Sequence, residues 1–593
     1  MSTNKFYANL FLGSRTQGVW THPYSLAWSK RLETWGMAVS HIDSNQRAFG
    51  PLNTKIPGSP VQYFLNPVGI HSIILSAIEL GQSTKLSLNA LQAFSVNAVL
   101  SPDANSLSSI TLPLVQGMGF VTATYKNLRP AIQSTVTFST LVKAPGPRPG
   151  IFKYRISLND GKTWLMYLVP DDGQDPELRL VSNSQIQGAR SWSGIIQVSK
   201  VPAGTNDESI YDGSAGVYPV GCVVSGTTSA SSGTYSLKWT KAGFQQGQPL
   251  LMFALPHHVQ SFDTTTASHK TTLSLQTTTK GIATAVGSDS WTLNESALPS
   301  DMSFAPWTPA SRTRTTLTTY SRNTIEQVAV AELAQDILAQ TNLDSMYFSG
   351  KALSKFAGIV YTVKALLKQP ALGSKGLDRL KEAFDRFASN KQIFPLVYDS
   401  KWGGVVSSGA FKTGDPNQDF GNTLYNDHHF HYGTVVHQLM LLCYHTHGAQ
   451  GYFIYTAAVI GCLDPNWLKA NKLWVNTLVR DAASPNGDDP QFPFSRAFDW
   501  YHGHSFAKGL FESADSKDEE STSEDVFFAY AMKMWGKVTG DNSMEARGNL
   551  MLAILARSLD NYFLMKRNNI NQPPNFVGNK VTGIVSVVRE MTV

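Results

Sequence analysis

The feature that most limits what this chain can fold into is a change of hydrophobic period partway along it. From the N-terminus to about residue 290 the period is two. Between Lys85 and Val99, apolar Leu86, Leu88, Ala90, Phe94, Val96 and Ala98 alternate with polar Lys85, Ser87, Asn89, Ser95 and Asn97, which predicts a half-buried strand. Similar stretches, "STVTFSTLV" and "TTLSLQTTT", are separated by turn-rich segments such as "KAPGPRPG" and "GTTSASSG". Many short strands punctuated in this way predict a large β-sandwich. A Pro-, Ser- and Thr-rich passage, 298–323, then closes the β region, and the period becomes helical. In "KALSKFAGIVYTVKALL" the residues Leu353, Phe356, Val360, Val363 and Leu367 share one helical face, and "TIEQVAVAELAQDIL" and "GNLMLAILARSLDNYFLM" also read as helices. About eight helical segments follow residue 324, joined by long irregular loops. Periodicity leaves a helical barrel and a helical bundle equally open.

At 593 residues the chain is long enough for two to four domains. Its charged fraction is low, 16% against 42% hydrophobic, as expected of a folded chain and not a disordered one. The net charge of +6 is spread over single residues with no basic block, which argues against nucleic acid as a partner. Cys222, Cys443 and Cys462 form neither a disulfide framework nor a CxxC pair. "MSTNKFYANLFLG" does not read as a signal peptide, and no run of about 18 apolar residues is present to cross a bilayer.

Six of the 14 histidines fall between Tyr425 and Gly461. Their spacing contains no HExxH, and neither a GxSxG elbow nor a phosphate-binding loop occurs elsewhere. No metal and no cofactor is expected. Carboxylates are the stronger signal. Asp427 lies in "YNDHHFHYG", and "FESADSKDEESTSED" packs Glu512, Asp515, Asp518, Glu519, Glu520, Glu524 and Asp525 together. Such a run is commonly a solvated face. Here Ser521, Thr522 and Ser523 offer helix caps, so a helix starting there puts Glu524 in its first turn, at the positive end of the dipole. On that helix Glu520 and Glu524 share a face and repel. An ionised Glu opposite a protonated Asp is what glycoside hydrolysis needs, one group donating to the leaving oxygen and the other activating water. Trp402, Trp500, Tyr501, His502 and His504 could line a sugar groove, since apolar sugar faces stack on rings; each alone also suits core packing.

The segments "YNDHHFHYG", "YFIYTAAVIG", "LDPNW", "FPFSRAFDWYHGHS", "KGLFESADSKDEESTSEDV", "KMWGKVTGD" and "QPPNFVGNKVTGI", with "KFYANLFLG", "VWTHPYS" and "WGMAVSHID" near the start, resemble endo-1,3-β-glucanases of glycoside hydrolase family 81. The likeness runs collinearly over nearly the whole chain. It implies a β-sandwich domain at 1–255, a small α/β connecting domain at 256–340 and an (α/α)6 barrel at 341–593. It also implies endo-hydrolysis of β-1,3-glucan with inversion. A monomer without nucleic-acid partner or membrane insertion is expected. The family points to an extracellular or cell-wall setting. By motif, Asp427 is implied as general acid, Glu524 as general base and Glu520 as a carboxylate that positions the water or tunes Glu524. His431, Tyr425, Asp399, Trp402, Trp500, Tyr501, His504 and Asp518 are implied as substrate contacts. Inversion calls for acid and base carboxyls about 6.5–9.5 Å apart.

Three departures from the family pattern stand out. Residues 434–451 interrupt the run from "HYG" into "YFIY"; these 18 residues correspond to 54 nucleotides, so an in-frame retained intron is one reading, with His437, Cys443, His445 and His447 outside any evolved site. After "GNKVTGI" the chain turns to "VSVVREMTV", which leaves the expected barrel short of helices. Phe506 and Phe527 stand where the family usually has Trp and Asn. The competing expectations are a glucan-binding protein without catalysis and, more remotely, a metal-dependent hydrolase or a polysaccharide lyase.

Overall fold

The computed structural model describes residues 3–582 except 32–33, 51–60, 62, 66–68, 206, 230, 245–246, 306, 309–312, 315–316, 433–451 and 515–516. The interruption at 434–451 with its histidines and Cys443, the tail from 583, and Asp515 therefore lie outside the described residues.

Two large antiparallel sheets build the N-terminal β-sandwich, one of seven strands and one of eight. Register explains its core. Ala123 pairs with Ile196 and Ile196 with Leu168, while Val121 and Met166 both pair with Val198, so these facing positions carry apolar side chains, all buried. The expectation of one strand across Lys85–Val99 is corrected. Strands Lys85–Asn89 and Ser95–Ser101 form a hairpin in which Leu86 meets Leu100 and Leu88 meets Ala98, with Ala90 in the left-handed region at φ 48°. The connection preserves the alternation, so a period-two reading runs straight through the turn.

Smaller sheets follow. Strand Ser232–Gly243 pairs with Val217–Ser229 on one side and Ser290–Glu295 on the other, joining chain from either side of residue 255. Strands Lys270–Gln276 and Leu251–Ala254 flank Ile282–Gly287.

The C-terminal part is helical: α1 (Thr319–Ala334), α2 (Met346–Tyr361), α3 (Pro370–Ala388), α4 (His428–Tyr432), α5 (Tyr452–Leu463), α6 (Pro465–Ala483), α7 (Thr522–Thr539) and α8 (Asn542–Tyr562). Side-chain caps set several starts. Ser345 accepts from Phe348 N–H, Asp464 from Asn466 and Trp467 N–H with Pro465 in the first turn, and Asp541 from Met544 N–H. The predicted face of Leu353, Phe356, Val360, Val363 and Leu367 is buried throughout. In α5 every residue from Tyr452 to Gly461 is buried, so this helix lies at the centre, against α2, α6 and α7.

The two parts meet over a wide polar and aromatic seam. Tyr501 donates to the Phe253 carbonyl at 2.7 Å, Tyr562 OH stands 2.7 Å from His257 Nδ1, and Arg557 pairs with Glu295 at 2.6 Å. Gly117, at φ 80°, faces the Tyr501 ring at a distance that leaves no room for a Cβ. Trp500, Tyr501, His502 and His504 belong to this seam and are each less than 9% exposed. The sugar groove expected around them is accordingly corrected: these rings are covered by the β part, with Trp500 packed on Tyr235 and Phe498.

Candidate active site

Asp427 is presented from a loop that the chain holds under backbone strain. Asp419, Phe420, Tyr425 and Asp427 all have φ between 49° and 62°, a region that residues with side chains seldom occupy. Such a concentration of strain persists only where its surroundings enforce it, and it is typical of functional sites. The enforcement is visible. Asp427 N–H donates to the Ala507 carbonyl at 2.8 Å, and the Asp427 carbonyl accepts from Phe430 and His431 N–H at the start of α4. Gly509 lets the 505–513 segment cross directly under Leu424 and Tyr425, where any Cβ would collide with their backbone atoms.

Beneath the loop lies a buried charge network. Asp481 on α6 accepts from Arg496 Nε at 3.0 Å, from Val405 N–H at 2.7 Å, and faces His428 Nε2 at 2.8 Å. The Arg496 guanidinium also lies 4.6 Å from the Tyr425 ring centroid. Burial opposes ionisation of Asp481, yet His428, Arg496 and the Val405 N–H together hold its carboxyl below the ordinary range. The residue after the candidate acid is thus locked in the core.

Glu524 arrives from the other side. Helix α7 begins after Ser521, so Glu524 is in its first turn as the sequence predicts. Glu520 precedes the helix and is exposed, so the expectation that the two share a helical face is corrected. The carboxyls still converge. Burial is the largest influence on Asp427, followed by the charges of Glu520 and Glu524, and together they push its carboxyl well above the ordinary range. Asp427 Oδ2 accepts from Asn426 Nδ2 at 3.0 Å, and the Asp427 carboxyl is also within hydrogen-bonding reach of the Glu520 carboxyl. Glu524 is pushed up to about 7, chiefly by burial, and Ser521, Tyr347 and Lys351 counteract that rise.

Tyr347 and Lys351 lie one turn apart on α2 and went unnoticed in the sequence. Their four-residue spacing indicates a shared face, but nothing local indicates that this face meets Glu524. Tyr347 also forms, with Phe348 and Phe420, an aromatic cluster with centroid separations of 5.1–5.3 Å. Phe348 and Phe420 are 38% and 49% exposed, and Asn426 donates to both the Phe420 carbonyl and Asp427. Exposed rings beside the acid therefore come from this cluster and not from Trp500 and Tyr501.

The remaining candidates divide. Tyr425 and His431 are fully buried, with His431 wedged between Tyr347, at 5.8 Å, and Asp419, at 4.0 Å. Asp399 and Trp402 are half-buried on a hairpin turn next to Tyr425, with Trp402 packed on Phe11. Asp518 is half-buried, 3.5 Å from Lys508 and within electrostatic reach of Asp427. His504 is buried on the seam, 2.7 Å from Lys280. Among the described residues no group of three His, Cys, Asp or Glu is placed to hold a metal.

The arrangement sets a protonated carboxyl beside a carboxyl close to half-ionised at neutral pH. It can donate one proton and accept another. Because Tyr347 stabilises ionised Glu524, Tyr347→Phe is expected to raise the pH at which Glu524 loses its proton by about one unit, the worth of one hydrogen bond to a charged group. The measurement is the acidic limb of kcat/KM for any turnover that uses Glu524 as a base: it is expected near pH 7 in the unsubstituted chain and at higher pH in the variant.

Residues 1–309 match the glycosyl hydrolase family 81 N-terminal domain and residues 316–589 the glycosyl hydrolase family 81 C-terminal domain. The chain is 56% identical to a glucan endo-1,3-beta-D-glucosidase of Arthroderma benhamiae, over 99% of this chain and 63% of that protein. It is 37% identical to glucan endo-1,3-beta-D-glucosidase 2 of Saccharomyces cerevisiae, over 99% of this chain and 72% of that protein. The chain thus spans less than two thirds of the length of the first of these relatives. A glycoside hydrolase family 81 structure from Clostridium thermocellum shares the fold at a TM-score of 0.70 and 18% identity, covering 97% of this chain and 71% of that one.

Proposed function

Because the chain belongs to glycosyl hydrolase family 81, we propose that it hydrolyses internal β-1,3-glucosidic bonds of a β-1,3-glucan with inversion, Asp427 acting as general acid and Glu524 as general base. The observation that carries this reading is the unequal pair. Asp427 is kept protonated by burial and by the charges of Glu520 and Glu524, whereas Glu524 is drawn back to about 7 by Ser521, Tyr347 and Lys351. The protonated acid donates to the departing glycosidic oxygen. The ionised Glu524 takes a proton from the attacking water, and Glu520, exposed at the mouth of the site, helps to orient that water. Asp399, Trp402 and Asp518 are proposed as substrate contacts from the cleft rim, and Tyr425 and His431 as supports behind it. The division at 1–255, 256–340 and 341–593 and an (α/α)6-type barrel in the last part belong to the same proposal.

Release of reducing ends from a linear β-1,3-glucan tests the reading, with Asp427→Asn as the control. A steady rise with the unsubstituted chain and none with the control supports hydrolysis at this site; binding of glucan without release favours the non-catalytic alternative. Stacking on the exposed ring of Phe420 leads to a further expectation. Phe420→Ala raises KM about 5- to 10-fold with kcat nearly unchanged, the loss of about 1 kcal/mol of ring contact made equally in ground and transition states. Initial rates over a range of glucan concentrations check it.

A further inference from the structure

Behind Glu524 runs a line of buried polar groups that the proposed chemistry leaves unused. Lys280, on the turn between strands Lys270–Gln276 and Ile282–Gly287, is 8% exposed. Its Nζ lies 2.7 Å from His504 Nε2 and 4.5 and 4.9 Å from the Tyr562 and Phe563 ring centroids. His504 Nδ1 is 2.9 Å from the Ser505 carbonyl oxygen, which can only accept; Nδ1 therefore carries the proton and Nε2 accepts from Lys280. The same Nδ1 stands 3.9 Å from Glu519 Oε2. Ser505 in turn donates through its N–H and its hydroxyl to the two oxygens of Asp525, at 2.7 and 2.6 Å. Glu519 Oε1 accepts the N–H of Ser521, the residue at the N-cap position of α7.

Glu519 and Asp525 both have fully buried side chains and meet one another. Two carboxyls in contact away from water do not both ionise. Both oxygens of Asp525 are committed as acceptors to Ser505, so Asp525 holds the charge and Glu519 the proton. The ionisable groups around Glu519 are Asp525 and Glu524 on α7, His504 from the adjoining strand with Lys280 behind it, and His429 from α4, which lies 3.7 Å from Asp525. Burial and Asp525 push the Glu519 carboxyl well above the ordinary range, in keeping with this assignment.

We propose that Glu519 is a positioning residue: a neutral acid that, by bonding Asp525 and the Ser521 N–H, fixes the first turn of α7 and so the direction in which Glu524 points. The inference rests on Glu524 being the base. Neutrality matters because a second charge at this point would raise the proton affinity of Glu524 further. Through His504 and Lys280 the same line anchors the catalytic helix to the β part.

Two variants of the full chain test it, Glu519→Gln and Glu519→Ala. The Gln variant, of the same shape and uncharged, is expected to keep kcat and the acidic limb of kcat/KM. The Ala variant is expected to lose kcat about 10- to 100-fold with KM within about twofold and its circular dichroism unchanged, as for a misplaced catalytic group. Infrared spectra of the unsubstituted chain and Glu519→Gln at neutral pH, subtracted one from the other, give a readout independent of turnover: Asp427 absorbs in both, and the difference contains a protonated-carboxyl C=O band that belongs to Glu519. A Gln variant whose acidic limb moves to lower pH, an Ala variant with full kcat, or absence of the band overturns the proposal. If the unsubstituted chain releases no reducing ends, the assigned function fails, and the infrared band still decides the state of Glu519.

Discussion

Replacing Asp427 with Asn is expected to lower kcat on linear β-1,3-glucan by about 10²- to 10⁴-fold, the usual contribution of a general acid, while raising the melting temperature at neutral pH. The two effects share one cause. Burial and the charges of Glu520 and Glu524 disfavour ionised Asp427 in the folded chain. A carboxyl whose folded pKa lies above its unfolded value contributes stability at low pH, and that contribution is lost as pH rises through the folded value. Asn keeps the shape and cannot ionise, so it removes the penalty together with the proton donor. Initial rates and thermal melts of both proteins, followed from acid to neutral pH, check this. The stability gain should shrink as the pH falls. Retained activity, or a variant that melts lower at neutral pH, would count against Asp427 as the acid.

The second large effect is structural. Asp481→Ala leaves Arg496 buried and without its carboxylate, since the Arg496 and Asp481 side chains are wholly inaccessible to solvent and joined at 2.9 Å. Breaking a buried pair from one side costs about 3–5 kcal/mol, because the orphaned charge has no water to turn to. It also frees His428, and with it the loop that presents Asp427. Urea titration should show a midpoint lowered accordingly, with activity lost at denaturant concentrations that the unsubstituted chain tolerates. Asp481→Asn, which keeps part of the hydrogen bonding, should fall between the two. An unchanged midpoint in the Ala variant would mean that the network does not support the site.

How much of this was legible in the sequence depends on whether the cause was local. The start of α7 was legible because capping residues at 521–523 directly precede Glu524. The register of Glu520 was not, because the helix starts just after it. The face of α2 was readable from its apolar spacing, yet Tyr347 and Lys351 gained their meaning only from α7, far along the chain. The same limit applied to Trp500 and Tyr501, whose composition suits a sugar groove but whose position is decided by the β part, through bonds such as that from Tyr501 to Phe253. Contacts between the first residues and the site are the extreme case. Lys5 donates to the Ser495 carbonyl across 490 positions, and no period or motif encodes such a pairing. In the hairpin at 85–101 the alternation was right and the element count wrong, because the turn preserved the phase.

The central claim is that Asp427 donates while Glu524 activates water in a single displacement, and the most direct test is the anomeric form of the first product. Proton NMR of a linear β-1,3-glucan digest, recorded before mutarotation equilibrates the reducing ends, should show the α-anomer forming first. Initial formation of the β-anomer would mean retention, and with it a nucleophile that this account does not contain.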